Sequence, residues 1–507
     1  MYMVLNLGLK SIRAIIFDDQ FKIISSSAKP LTTFIDNITV EQSADEWWSK
    51  ALDVINRSLS ELNRSEKIRG LTVTASSCCV VPVDSDGLPL SRVIMVSDKR
   101  AEAQDKKIKS LKSYKDLVEK DNIIPSNSTL MLPKILWFRE NAPEIAGSTS
   151  HYLSPNDYFI KRLCGVAVTD ALNAEKCAFD VKNNNYAEAL LSDLDIPFSK
   201  LPTVVSPGTI VGKIKNSDMP SELQDVDIAV STYDAICAFV GSGPAQKGDA
   251  CDVSGTVTSL RVLADPDDEV GLSSKVFSQK EDSLGIMIRG ASNNLGGGLV
   301  EWCKQAFYDS SPDAYGIMEA EAISRKENNN DPIFLPYLMG ERAPLWNENA
   351  RGVFFGLSRH HRRPNMTRAV FESAAFSLKQ LCDEVESLTK VNAVSVSGGL
   401  ARLNTINQMK ADVLNKEIKV LSEFETTAIG AYVYLLKADG RDITLQDVKS
   451  STKIRQIIIP DADRHEMYLE RFNLFKSVYN NLISDFDLLA SMEKKSVFQT
   501  KETVENM

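Results

Sequence analysis

The stretch from Asp225 to Thr256, DVDIAVSTYDAICAFVGSGPAQKGDACDVSGT, is the part of the sequence around which the rest of the chain is organised. Residues 227–231 are apolar and bounded by polar residues, which predicts a buried strand. The small and apolar run at 235–240 predicts a tightly packed helix, and Asp234 falls at the junction between strand and helix. A second strand follows and breaks at Gly255. The pattern therefore predicts an α/β fold with polar groups at the strand ends.

Two roles are open for Asp234 at this point. An acid at a strand-to-helix junction is a common place for chemistry in α/β proteins, but an acid there can also simply cap the helix. The pair Gly255-Thr256 favours the first role, because a glycine followed by a hydroxyl residue lets backbone N–H groups approach a phosphate. An acid and a phosphate-type loop 22 residues apart suggest a phosphoryl-transfer site.

The composition sets limits on the class of protein. A chain of 507 residues is long enough for two or more domains, and 43% apolar with 25% charged residues is typical of a soluble globular protein. The net charge of −10 argues against sequence-independent binding of nucleic acid, and an anionic substrate would need a local cluster of positive groups.

The cysteines, histidines and apolar runs indicate the compartment. Eight cysteines without C-x-x-C spacing are expected to be reduced thiols of an intracellular protein, with Cys78-Cys79 as a redox or metal site in the minor alternative. The four histidines form no metal-ligand pattern. No uncharged apolar run approaches the ~18 residues of a membrane span, and the start of the chain does not resemble a signal peptide. A cytoplasmic location is therefore expected.

Two further patterns point to a cleft between related halves. A strand–turn–strand pattern around Gly8 resembles the later pattern around Gly255, which suggests two halves that each open with a glycine-containing hairpin. The strand predicted at 391–397 is followed by Gly398-Gly399 and a helix at 404–414, an arrangement that can place a flat ring against bare backbone. The polar loop at 169–174 could line a substrate cleft or be a plain turn.

Four stretches together resemble the FGGY family of carbohydrate kinases, and their sequences are most similar to its xylulokinase branch. They are YDAICAFVGSGPAQKGDACDVSGT at 233–256, FLPYLMGERAPLWNENARGVFFGLSRHH at 334–361, VSVSGGLARLNTINQMKADVL at 394–414 and ETTAIGAYVYLLKADG at 425–440. The resemblance implies two actin-like (ribonuclease H-like) ATPase domains around a central cleft. We expect a sugar-binding-side domain at 1–245, a nucleotide-binding-side domain at 246–485 and a polar tail at 486–507.

The resemblance also implies the site residues. Asp234 matches the catalytic base, which would take a proton from a sugar hydroxyl as that oxygen attacks the γ-phosphate of ATP. The positions implied on the sugar side are Asp98, Ser77, Cys78 and Asp234. Those implied for the nucleotide are Gly8, Gly255, Thr256, Gly297, Gly398, Gly399 and Asn404, and those implied for Mg²⁺ are Asn6 and Asp234. Lys10 is also assigned to the nucleotide, because it could supply positive charge toward a phosphate, although it could equally point to solvent.

The first phosphate loop departs from the family pattern D-x-G-T. Asn6 stands in place of the acid that helps to hold Mg²⁺, and Leu9 stands in place of the threonine. The first hypothesis is an ATP-dependent kinase of a ketose or polyol. The alternative is a non-catalytic relative that binds a sugar or nucleotide, and a third reading, an actin-like ATPase without a sugar, is disfavoured by Asp98. A small-molecule sugar is the expected partner, nucleic acid and membrane are not, and a homodimer is left open.

Overall fold

The structure is a computed structural model of the chain. It describes residues 1–505 except 64–65, 121, 255–256, 269–274, 295, 310, 325–329 and 423–424, and from residue 494 onward it describes the backbone alone.

The first half of the chain alternates strands and helices. Its strands are β1 (Tyr2–Leu7), β2 (Ser11–Phe17), β3 (Ile23–Pro30), β4 (Phe34–Asp36), β5 (Thr39–Gln42), β6 (Gly70–Ala75), β7 (Val81–Val83), β8 (Val93–Ile94), β9 (His151–Leu153), β10 (Val168–Asp170), β11 (Phe179–Asp180), β12 (Asn185–Tyr186), β13 (Thr203–Val205), β14 (Ile210–Lys213) and β15 (Asp227–Val230). Its helices are α1 (Ala44–Ser60), α2 (Glu102–Ser110), α3 (Lys112–Glu119), α4 (Met131–Asn141), α5 (Pro143–Ser148), α6 (Pro155–Cys164), α7 (Ala171–Ala174), α8 (Glu188–Asp193) and α9 (Asp234–Gly241).

The second half has longer helices. Its strands are β16 (Asp249–Ser254), β17 (Thr258–Ala264), β18 (Phe277–Glu281), β19 (Ile286–Ser292), β20 (Ile333–Pro336), β21 (Gly352–Phe355), β22 (Ala393–Ser397), β23 (Glu417–Leu421) and β24 (Ile454–Ile458). Its helices are α10 (Gly297–Tyr308), α11 (Ala314–Ile323), α12 (Arg363–Glu386), α13 (Asn404–Leu414), α14 (Thr426–Ala438), α15 (Leu445–Ser451) and α16 (Ala462–Glu505). None of the helices in the described ranges is long and apolar enough to cross a bilayer.

The two halves share one sheet topology. The first sheet has the order β14-β15-β6-β1-β2-β3, and the second has the order β18-β19-β17-β16-β22-β23-β24. In each sheet, three antiparallel strands (β1, β2, β3 and β16, β17, β19) are extended by two strands parallel to the first of them (β6, β15 and β22, β23). The repeated order confirms the predicted α/β fold of two related domains.

Local sequence sets where the helices of the first domain begin. Ser43 precedes α1, and its hydroxyl accepts a hydrogen bond from the Glu46 N–H. Ser154 precedes α6 and forms a reciprocal capping box with Asp157. Gly165 ends α6 with a left-handed φ of 84°, the conformation that glycine adopts most readily. These local signals satisfy the N–H groups that a helix end leaves without partners.

The core between the two sheets is built on α9 and α14. A Cβ at Gly241 would lie 1.9 Å from the carbonyl oxygen of Thr426, and a Cβ at Gly430 would lie 1.8 Å from that of Cys237. The two helices therefore cross in direct backbone contact, which only glycine permits. Apolar residues from both halves pack around this crossing, and α9 carries Asp234 at its first position.

The end of the chain differs from expectation. Residues 486–505, expected as part of a polar tail, continue α16. Phe486 and Ala490 are buried, and Phe486 belongs to the apolar cluster of the second domain. Burial of these two side chains against that domain accounts for the continuation of the helix, because most helical stability in proteins comes from packing an apolar face.

Candidate functional site

Three of the parallel strands of the first sheet end at the same edge. Gly8 follows β1, Ser76 follows β6 and Asp234 follows β15. Ligands of open α/β sheets bind outside the carboxyl ends of the strands. The sheet therefore brings these three positions to the edge where a ligand is expected.

The Asp234 carboxylate is held by a neighbouring strand. The Ser76 hydroxyl donates a hydrogen bond of 2.9 Å to Oδ2 of Asp234. The capping position of α9 belongs to Tyr233, whose side chain makes no capping hydrogen bond, and Asp234 is the first residue inside the helix. The structure thus gives the acid a partner outside its own helix.

Opposing influences act on the acidity of Asp234. Burial raises the pKa of the Asp234 carboxyl above its ordinary value, while the Ser76 hydrogen bond and the charge of Arg261 act to lower that pKa. The N-terminus of α9 also favours a negative charge at this position. A carboxylate with a raised pKa is a stronger proton acceptor than an ordinary aspartate, as a general base requires.

Ser76 also connects Asp234 to the first phosphate loop. Its backbone N–H donates a hydrogen bond of 3.2 Å to the carbonyl oxygen of Leu7. The loop that follows β1 therefore lies beside the predicted base. Asn6 lies within β1 and is 9% exposed. The Gly8 N–H donates a hydrogen bond of 3.0 Å to the carbonyl oxygen of Ser11, so this N–H is satisfied within the hairpin turn.

Lys10 extends from this hairpin toward the second domain. The Lys10 side chain is exposed. A hydrogen bond from Tyr315 is the main influence that lowers the pKa of Glu301 on α10, and the charge of Lys10 adds to it. Lys10 is therefore near α10, which begins at Gly297, a position predicted for the nucleotide.

The predicted nucleotide side follows the strand ends of the second sheet. Gly398 comes after β22 with φ 84° and ψ −171°, and a Cβ there would lie 2.8 Å from the carbonyl oxygen of Ser254. Among the described residues, no atom lies within 4 Å of a Cβ built on Gly399, so that part of the structure leaves the space above this backbone open. Asn404 begins α13 and is exposed.

A buried ion pair supports the end of β16. The Lys410 ammonium donates to the carboxylate of Asp252, and the hydroxyl of Ser254 donates 2.7 Å to the other oxygen of that carboxylate. Lys410 and Asp252 are both buried. Gly255 and Thr256, the predicted second phosphate loop, come next in the chain and lie outside the described residues.

Asp98, on the predicted sugar side, forms hydrogen bonds with neighbouring residues of the protein. It is fully buried, and its carboxylate accepts hydrogen bonds from the Val40 N–H at 2.7 Å and from the guanidinium and backbone N–H of Arg100. Arg100 also binds Glu41 and lies over the ring of Trp137. These contacts hold Asp98 and Arg100 in place in the region predicted to bind the sugar.

Ser77 and Cys78 form a strained loop that a buried lysine holds. Cys78 has a φ of 66°, rare for a residue other than glycine, and its sulfur lies 3.2 Å from the Ser77 hydroxyl. The Lys134 ammonium donates to the carbonyl oxygens of Cys78 at 2.7 Å, Met95 at 2.8 Å and Thr129 at 2.8 Å. Burial lowers the pKa of Lys134.

Lys134 is a residue of the predicted sugar side that was not expected from the sequence. The signal was a single lysine inside the apolar stretch MLPKILWF of α4, a position where an ammonium must find buried acceptors. Lys134 links two segments of the predicted sugar side, the Cys78 loop and the residues before Asp98.

A polar network from the second domain reaches Tyr233, the residue before Asp234. The Tyr233 hydroxyl donates a hydrogen bond of 2.7 Å to Oε1 of Gln279, and the amide of Gln279 donates one of 2.9 Å to the carboxylate of Glu175. Glu175 and Lys176 follow the segment 169–174, which was predicted as a polar loop but forms the end of β10 and α7. The hydrogen bond from Gln279 to Glu175 places the end of this segment at the domain boundary. Arg261, on β17, is also close enough to Asp234 to affect its pKa. Sequence analysis missed Arg261, although a charged residue in the apolar strand TSLRVLA was a signal.

Metal binding by protein side chains alone is not indicated. Within the described residues, no group of three or more His, Cys, Asp or Glu side chains could hold a metal ion. All eight cysteines are free.

Comparison with known proteins identifies the family. The N-terminal domain model of the FGGY family of carbohydrate kinases matches residues 1–241, and the C-terminal domain model matches residues 253–438. The chain belongs to the FGGY family of carbohydrate kinases. Among curated relatives, it is 25% identical to a xylulose kinase of Staphylococcus epidermidis, over 94% of this chain and 95% of that one. It is 24% identical to the gluconokinase of Bacillus subtilis, over 97% and 98% of the two chains.

Solved structures show the same fold. The gluconate kinase from Lactobacillus acidophilus aligns with a TM-score of 0.86 at 22% identity, over 96% of this chain and 99% of that one. The glycerol kinase of Plasmodium falciparum with ADP aligns with a TM-score of 0.82 at 22% identity, over 95% and 98% of the two chains. These similarities confirm the predicted pair of actin-like domains.

Proposed function

We propose that this protein transfers the γ-phosphoryl group of ATP to a hydroxyl group of a sugar or polyol, with Asp234 as the general base. The observation that carries this proposal is the Asp234 carboxylate, held by Ser76 at the strand ends of the first sheet. Ser76 also binds the carbonyl oxygen of Leu7, next to the first phosphate loop, and Ser77 and Cys78 follow it directly in the chain.

The proposed reaction is an in-line displacement. The acceptor oxygen forms a bond to the γ-phosphorus while the bond from that phosphorus to the β–γ bridging oxygen breaks, which releases ADP. The acceptor hydroxyl loses its proton to the Asp234 carboxylate. Ser76 holds that carboxylate in place, and burial raises its pKa toward the range in which an aspartate accepts a proton effectively.

The nucleotide is proposed to bind along the second sheet. The open space over Gly399 would receive the adenine ring, and the N-terminus of α10 at Gly297 would face the phosphates. The ADP in the similar Plasmodium falciparum glycerol kinase supports a nucleoside diphosphate as product.

The residues present fit a Mg²⁺ ion that arrives with the nucleotide. Mg²⁺ is usually bound through one or two carboxylates together with substrate phosphates and water. Asp234 offers one carboxylate and Asn6 offers a neutral amide oxygen, consistent with the lack of a larger ligand cluster in the described ranges. When bound, the ion would neutralise charge on the transferred phosphoryl group.

Asn6 and Leu9 favour a second candidate function. Without an acid at the position of Asn6, the protein would bind a sugar or nucleotide without turnover. This alternative needs the same cleft and differs only in the rate of the chemical step.

The experiment is a coupled assay of ADP release over a panel of ketoses, polyols and aldonates, with Mg²⁺ and with Mn²⁺. The proposal expects acceptor-dependent release in the range of kinases, about 1–100 s⁻¹. If the protein is a weakened kinase, Asn6→Asp should raise turnover, and the combination with Leu9→Thr and Lys10→Thr should raise it further. Calorimetric binding of sugar or nucleotide, with no sugar phosphate formed by any variant, would favour the non-catalytic alternative.

A further inference from the structure

Arg261 is a buried cation without a carboxylate partner. Its side chain lies in β17, and the residue is 5% exposed. Its one hydrogen bond goes from Nη1 to the neutral hydroxyl of Ser259, at 2.6 Å, and its Nε has no partner. Within the described part of the chain, Arg261 forms no ion pair. Charged groups are almost never buried without a counter-ion.

A second cation stands next to Arg261. The charges of Lys176 and Arg261 repel each other, and Lys176 is also close enough to the thiol of Cys78 to interact with it. The Lys176 ammonium lies 5.4 Å from the centre of the Tyr233 ring. Both cations are near residues of the predicted acceptor side, because Lys176 interacts with Cys78 and Arg261 acts on Asp234.

The carboxylates already present do not fill this site. The carboxylate of Glu175 lies 3.7 Å from the ammonium of Lys176 and accepts a hydrogen bond from the amide of Gln279. Asp234 accepts from Ser76. Within the described residues neither carboxylate forms an ion pair with Arg261, and the buried Nε of Arg261 has no hydrogen-bond partner.

The position of Arg261 separates it from the donor phosphates. β17 begins at Thr258, directly after the predicted second phosphate loop, and Arg261 lies three residues further along the strand. At about 3.4 Å per residue this is a separation of about 10 Å. Arg261 therefore lies along β17 away from the predicted phosphate loop, and its charge acts on Asp234, the predicted base.

We propose that the acceptor is a sugar acid of the aldonate type, and that Arg261 and Lys176 bind its carboxylate while Asp234 faces the reacting hydroxyl. A planar guanidinium matches a carboxylate by paired hydrogen bonds. The carboxylate takes no part in bond making, so the transfer remains that of the γ-phosphoryl group to a hydroxyl. This inference rests on the proposed function, which it deepens by naming the class of acceptor.

The test uses acceptor pairs that differ only in the charged group. D-gluconate is compared with D-glucitol, and D-xylonate with D-xylitol, by ADP release. We expect kcat/KM for each aldonate to exceed that for its alditol at least tenfold. Arg261→Gln should raise the KM for the aldonate about 10- to 100-fold, the loss expected for a charge-assisted hydrogen bond, with the KM for ATP within twofold of wild type. Arg261→Lys, which keeps the charge, should recover part of the affinity.

Controls distinguish the outcomes. Lys247→Gln removes a cation from an exposed ion pair with Asp265 and should change neither KM. If Arg261→Gln fails to fold, Lys176→Gln measures the same site. An alditol as good as its aldonate, a preference for a sugar phosphate, or an Arg261→Gln effect on the KM for ATP alone would overturn the inference. If no acceptor turns over, the proposed function fails separately, and calorimetry with D-gluconate still decides: binding that Arg261→Gln abolishes supports the anion site, and no binding refutes it.

Discussion

Replacing Ser76 with alanine should shift the pH dependence of the reaction. Asp234 must be deprotonated to act as a base, so activity is lost as the pH falls through its pKa. The Ser76 hydroxyl donates to the charged carboxylate and lowers the pKa of Asp234. Removing the hydroxyl must therefore raise that pKa and move the acid limb to higher pH.

The size of the shift follows from the strength of the hydrogen bond. A hydrogen bond to a charged group contributes about 1.5–3 kcal/mol, and one pKa unit corresponds to about 1.4 kcal/mol. The acid limb should thus move by about 1–2 pH units, toward the lower figure if water replaces the hydroxyl.

The assay is kcat/KM for the acceptor between about pH 4.5 and 8.5, because that ratio reports the pKa of the free enzyme. Ser77→Ala is the matched control, since the Ser77 hydroxyl faces the sulfur of Cys78 and not Asp234. That variant should keep the wild-type limb even if its KM changes. A uniform loss of activity in Ser76→Ala, with the limb in place, would refute the role of Asp234 as the titrating base.

Three further predictions concern the rest of the cleft. Gly398→Ala should lower the melting temperature and raise the KM for ATP, because its Cβ would lie 2.8 Å from the Ser254 carbonyl oxygen, whereas Gly399→Ala, with open space, should keep the wild-type melting temperature. Lys134→Met leaves three carbonyls without their donor, so it should lower the free energy of unfolding by about 2–4 kcal/mol in urea titrations and raise the KM for the acceptor; wild-type values of both would contradict the account. Small-angle scattering should show a smaller radius of gyration when acceptor and nucleotide are both bound, and an unchanged profile at saturation would count against closure of the cleft.

Parts of the fold that depend on local sequence could be predicted. The strand expected at 227–231 is Asp227–Val230, and the helix expected at 404–414 is Asn404–Leu414. Apolar patterning and the glycine turns fix such elements over a few residues. The family pattern then indicated which strand ends face the cleft.

The contacts that tune the site could not be predicted. Ser76 and Asp234 are 158 residues apart in the chain, and they meet only because β6 and β15 pair in parallel at one particular register. Lys134 holds three carbonyls that belong to separate segments. Arg261 is close enough to Asp234 to act on its pKa only because the second sheet packs against α9. A single sequence shows the residue types at these positions but not the tertiary pairing that gives them partners.

The central claim, that Asp234 is the base of a phosphoryl transfer, is tested most directly by Asp234→Asn. Transfer of ³²P from [γ-³²P]ATP to the best acceptor of the panel should fall by about 10²–10⁴-fold, while the melting temperature and the binding of nucleotide stay close to wild type. Transfer at the wild-type rate by a folded Asp234→Asn protein would contradict the account.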